Sequence, residues 1–276
     1  MEKIRDNKLY LSRFSIMLAF LALGFSLIYL IPEKLTPGNV HLFIIFTFQF
    51  NFLSLLPFIL ALVAAVGAVW VFVAHPRWES EPAGLMKLFP HITLPFIASL
   101  ILGIVLSQSA RSLIWWIVLS LGYLIVFLLL RSEYVLLGQE NTSLIQYNLI
   151  VISFSYGMFL VFATAIKNSS LRMFLQMTLI FAAAFFVTFR TMTIWQRKDY
   201  KMTQSLIISL LISELAVGLH YLFINPLQYG LILTGGLYSL TSWFNLYEEN
   251  KKWHQYKEPL IMLVVTILIV ILGSIL

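Results

Sequence analysis

Residues 203–223 read TQSLIISLLISELAVGLHYLF. As a helix rising 1.5 Å per residue the stretch is about 31 Å long, close to the ~30 Å hydrocarbon core of a bilayer. Glu214 stands at its middle, and it is the one charged side chain placed at the centre of an apolar segment. Every other charge lies at a segment edge or between segments.

The composition around this stretch points the same way. Hydrophobic residues make up 60% of the 276 and charged residues 11%, whereas soluble domains run at roughly 45–50% apolar and about 25% charged. Apolar runs of spanning length recur along the chain, so the sequence predicts an all-α, polytopic integral membrane bundle with no soluble domain. The absence of cysteine excludes disulfides, thiolate metal sites and cysteine nucleophiles. The net charge of +6 resides in short loops beside apolar spans, where membrane orientation explains it without nucleic acid. The N-terminal MEKIRDNKLYLSRFS and the run after it lack a small-residue cleavage pattern and read as a retained first helix.

Nine spans are expected in a single transmembrane domain, at about 14–31, 54–74, 92–108, 112–130, 147–166, 173–189, 203–223, 227–246 and 259–276. The uncharged run over 40–74 is too long for one helix, and Pro57 divides it, because proline is tolerated in a helix's first turn and disfavoured deeper. The preceding HLFIIFTFQFNF (41–52) is then expected to lie at the interface or to re-enter as a helix. Its alternating Phe46, Phe48, Phe50 and Phe52 also fit a strand, but an unpaired strand in lipid leaves its backbone unsatisfied. Trp78 and the 85–89 run suggest a patch lying on the membrane surface. With nine spans the loops sort 14 of the 18 Lys and Arg residues onto the N-terminal side and 4 onto the other. That asymmetry puts the N-terminus in the cytoplasm and the C-terminus outside, in a cell membrane. The seven tryptophans fall near span ends or in loops, as an aromatic belt does.

A charge at mid-bilayer costs about 2.5–3.5 kcal/mol on insertion scales, so Glu214 is expected to face protein, a wet cavity, or to be protonated. Ser205, Ser209 and Ser213 recur every four residues on its helix and His220 follows seven later, giving one continuous polar face. Glu214 and His220 are six residues apart, about 9 Å along the axis and some 120° around it, so they do not pair. The tight turn at Ile224, Asn225 and Pro226 sets the next span opposite, and matching depth makes Thr234 or Tyr238 the expected partner of Glu214. The candidate intramembrane polar site is therefore Glu214, Ser213, Tyr238, Thr234 and His220.

Catalytic templates find no match: there is no GxSxG elbow, P-loop, dinucleotide fingerprint or paired-histidine zinc helix. No span holds the lysine a retinal Schiff base needs. No cofactor and no metal are expected. Asn168 to Ser170 reads NSS, a glycosylation acceptor on the expected outer side. Three functional classes follow, led by a non-catalytic membrane subunit or scaffold. Its partners would be the lipid bilayer and other membrane proteins, met through the 41–52 aromatic segment and the last helix. The alternatives are a small-solute or proton/cation-coupled transporter using Glu214, and a membrane-embedded enzyme acting on lipid-like substrates.

Overall fold

In the computed structural model the backbone is described over residues 2–31, 38–41, 47–50, 52–75, 88–137, 145–169, 172–196, 202–248 and 257–275, and side chains over slightly shorter stretches. Nine helices lie among the described residues. They are α1 Glu2–Leu30, α2 Phe52–Phe72, α3 Phe89–Gln108, α4 Leu113–Leu137, α5 Ile145–Asn168, α6 Met173–Gln196, α7 Met202–His220, α8 Pro226–Glu248 and α9 Lys257–Ile275. Each coincides with an expected span. Seven, α1 to α7, are long and apolar enough to cross a membrane, and the protein is a multi-pass membrane protein of helical class. α8 is diluted by Gln228, Tyr229, Thr234 and other polar residues, and the side chains of α9 are described only as far as Val270.

The 41–52 segment departs from expectation. Instead of a helix, β1 (Gly38–His41) and β2 (Thr47–Phe50) form a two-stranded antiparallel ribbon with Val40 opposite Phe48. The objection to a strand assumed an unpaired one, and here each strand supplies the other's backbone partners. The surface patch at Trp78 and residues 85–87, Ser170 of the NSS motif, and most of the basic loop residues lie outside the described residues.

By its contacts the chain divides into two compact units, Met1–Val151 and Ile152–Leu276. In the first unit α2 packs most extensively on α3, with α1 against α2 and α4 against α3. Ala61, Ala64 and Ala68 are fully buried along one side of α2, where small side chains let helices approach closely. Pro57 sits in the second turn of α2 because the helix starts two residues earlier than expected. Trp115 is buried and donates its Nε1–H to the Leu106 carbonyl at 3.0 Å, so this member of the expected aromatic belt anchors α4 to the end of α3.

In the second unit α6 packs on α7 and α8 on α9, with α7 also against α8. Ser205, Ser209 and Ser213 are all fully buried, so the serine stripe of α7 does face protein. On α8, a side chain at Gly235 would collide with Thr266 of α9, so glycine is what allows that close crossing. The described part of α9 is exposed nearly all round, with Pro259 its one buried residue.

Candidate functional site

The tight turn after α7 sets α8 beside it at the depth expected from sequence: Gly236 lies against Ile212 and Leu215, whose side chains come within 3.4 and 3.5 Å of where its Cβ would be. Rotation about the α7 axis is what differs. Ser213 is buried, and its hydroxyl donates to the Leu210 carbonyl at 2.8 Å. Glu214, one residue and about 100° further round, is exposed. Its carboxylate makes no hydrogen bond or ion pair among the described residues. The expected contact with α8 is therefore not formed. Thr234 donates its hydroxyl to Gly230 of its own helix at 2.8 Å. The Tyr238 ring packs edge-on against Tyr156, with centroids 5.4 Å apart.

His220 is half-buried at the end of α7, and its Nδ1 is buried without a hydrogen-bond partner among the described residues. The ring borders a cavity of about 10 Å³ with Met173, Gln176, Ala216 and Tyr229, room for about one water. Lys167 caps this end of α7 by donating to the His220 carbonyl at 3.0 Å, while its ammonium lies 5.3 Å from the centre of the Tyr229 ring. Of the five candidates, then, Ser213 faces the interior, Thr234 and Tyr238 are engaged elsewhere, His220 closes the helix end, and Glu214 points outward.

Two buried charges were not expected. The span 112–130 was cut at Arg131, but α4 continues to Leu137 and carries Glu133 into the first unit, where it is fully buried. His91 Nδ1 lies 2.7 Å from Glu133 Oε2, within range of a charge-assisted hydrogen bond. Pro95, lacking an N–H, cannot donate to the His91 carbonyl four residues back, and Thr93 donates its hydroxyl to the Phe89 carbonyl at 2.7 Å in the same turn. The Phe72 ring stands 6.4 Å from His91, and His75 packs on Tyr134 at 4.7 Å next to the pair. A signal for Glu133 was present: Leu119, Val126 and Glu133 recur every seven residues and are all buried, one inward stripe of a helix. Arg190 repeats the pattern, since α6 runs past its expected end at Phe189 and buries this residue to 3% exposure.

The second unit also buries several hydroxyls. Thr191 and Thr241 neighbour the Tyr156 hydroxyl, yet donate to Val187 and Leu237 of their own helices at 2.9 and 2.6 Å. Tyr156 Oη, Thr188 Oγ1 and Ser242 Oγ are buried without a hydrogen bond of good geometry among the described residues. Among the described residues no three His, Asp or Glu side chains converge as a metal site. A family model described as a protein of unknown function (DUF5656) matches residues 38–273. No curated protein and no solved structure matches the chain.

Proposed function

The chain belongs to the DUF5656 family, and from that premise we propose that it acts as a non-catalytic subunit of a membrane complex, docking through the outward face of α7. The observation that carries this reading is the position of Glu214, exposed within an apolar helix six residues before its end. Around it Ile207, Leu210, Leu211 and Leu215 are exposed as well. Acyl chains offer a carboxyl group no donor, and a charge there costs about 2.5–3.5 kcal/mol. A transmembrane helix from another protein, carrying a hydroxyl, amide or basic side chain at the same depth, removes that cost. Gly218, one turn along, has open space within 4 Å of where its Cβ would stand, a notch that lets a partner backbone come close. A transport role for Glu214 needs its carboxylate on an internal path, so the outward position favours docking. The same reading takes all nine helices as spans of a cell membrane, N-terminus cytoplasmic and C-terminus outside, with α9 and the ribbon of β1 and β2 as further contact surfaces.

Because the chain has no cysteine, Leu211→Cys and Gly218→Cys each give a single thiol on this face. Crosslinking in native membranes is expected to trap a distinct membrane polypeptide, and Glu214→Leu is expected to abolish the adduct. Adducts only with a second copy of the chain, or no protein adduct at either position, would overturn the proposal. Tags on the two termini test the topology, which fails if both report the same side.

A further inference from the structure

In the first unit a groove of about 490 Å³ runs between α1 and α2, lined by apolar side chains that include Ile16 and Phe20 on one helix and Ile59, Val63, Val66 and Trp70 on the other. From Ile59 to Trp70 it extends about 16 Å along α2, roughly one leaflet of a ~30 Å hydrocarbon core. Its polarity is confined to one end. Arg13 precedes Ile16, Met17 and Phe20 by three, four and seven residues and so shares their face of α1. The guanidinium lies 5.4 Å from the centre of the Trp70 ring and donates one N–H to the Trp70 carbonyl at 3.2 Å. Guanidinium has five N–H donors, and among the described residues no carboxylate pairs with Arg13.

We propose that this groove binds an anionic phospholipid, one acyl chain lying between α1 and α2 and the headgroup phosphate on Arg13. A transmembrane helix is the poorer occupant, because it crosses both leaflets whereas the groove covers one. Trp70 fixes the guanidinium at headgroup level, where aromatic residues settle. The Trp70 carbonyl and ring hold one edge of the fork and leave the other for bidentate contact with phosphate oxygens. A net negative headgroup is preferred to a zwitterionic one because no ammonium of its own offsets the attraction to Arg13. The N-terminal end of α1, where the groove is charged, is also the end that the loop charges assign to the cytoplasm, the leaflet where anionic lipid attracts basic residues.

The test is native mass spectrometry of the full chain in detergent, titrated with phosphatidylglycerol and phosphatidylcholine of identical acyl chains. Phosphatidylglycerol should be retained about fivefold better, the preference one basic residue near a membrane surface confers. Arg13→Gln should bring it down to the phosphatidylcholine level, and Arg13→Lys should keep part of the preference. Val66→Trp, which fills the groove without touching Arg13, should lower retention of both lipids together. Equal retention of the two lipids by the parent protein, or an unchanged preference in Arg13→Gln, would overturn the headgroup assignment. Undiminished binding in Val66→Trp would overturn the groove.

Discussion

Glu133 and Glu214 are acids of opposite circumstance. Glu133 sits near the end of α4, in a stretch that reads as loop, and is fully buried against His91 at 2.7 Å. Glu214 sits inside α7, six residues before its end, and is exposed. Position along a helix sets how deep a side chain lies in the bilayer, and says nothing of which way it points. The buried acid has a partner within its own unit and reads as structural. The exposed one has no partner there and reads as a site for something that comes to it.

The contrast can be broken most easily at Glu133. Glu133→Ala removes the carboxylate from the half-buried His91 ring, and losing one partner of such a hydrogen bond costs about 1–3 kcal/mol. Thermal unfolding in detergent should show a large fall in midpoint, and a variant as stable as the parent would end the distinction. At Glu214 the change should run the other way. Glu214→Leu should make insertion of α7 more favourable by about 2–3 kcal/mol, read in a glycosylation-based insertion assay, with little change in the stability of the isolated chain. A marked loss of stability would mean that Glu214 has an internal partner after all.

Between these lies the orientation of α7 itself. Ser209 is fully buried on the inward stripe, so Ser209→Leu should overpack that face and cost about 1–3 kcal/mol, whereas Leu210→Ser on the exposed face should cost less in detergent. Equal penalties would contradict the assigned rotation. The smallest effect belongs to Thr234→Val. Its hydroxyl already serves Gly230, so stability should move by no more than about 0.5 kcal/mol. A larger loss would reinstate Thr234 as a partner of Glu214.

The helix positions were legible in the sequence because each depends on a local sum, some twenty apolar residues in a row. The strands at 38–41 and 47–50 were not, since a ribbon depends on two strands meeting. Glu133 and Arg190 were missed for a related reason. Both follow the point where a span was ended at its first arginine or just before it, yet the helical backbone continues as long as its own hydrogen bonds do, and a charge near a helix end can turn inward where a partner waits. The register of α7 against α8 was also readable, for Gly236 does meet Ile212 and Leu215, the depth that the short turn imposes. Thr234 and Tyr238 were wrong as partners only in rotation.

That division has a physical cause. In water a helix must turn its polar side outward, so periodicity in the sequence reveals its facing. In a bilayer the solvent is as apolar as the core, and lipid-facing and protein-facing sides look alike. The sequence by itself therefore determined the helical class, the places of the helices and the position of Glu214 along α7. Only tertiary packing decided which acid is enclosed and which is offered outward, because that choice rests on contacts between helices and not on any one helix's affinity for the membrane.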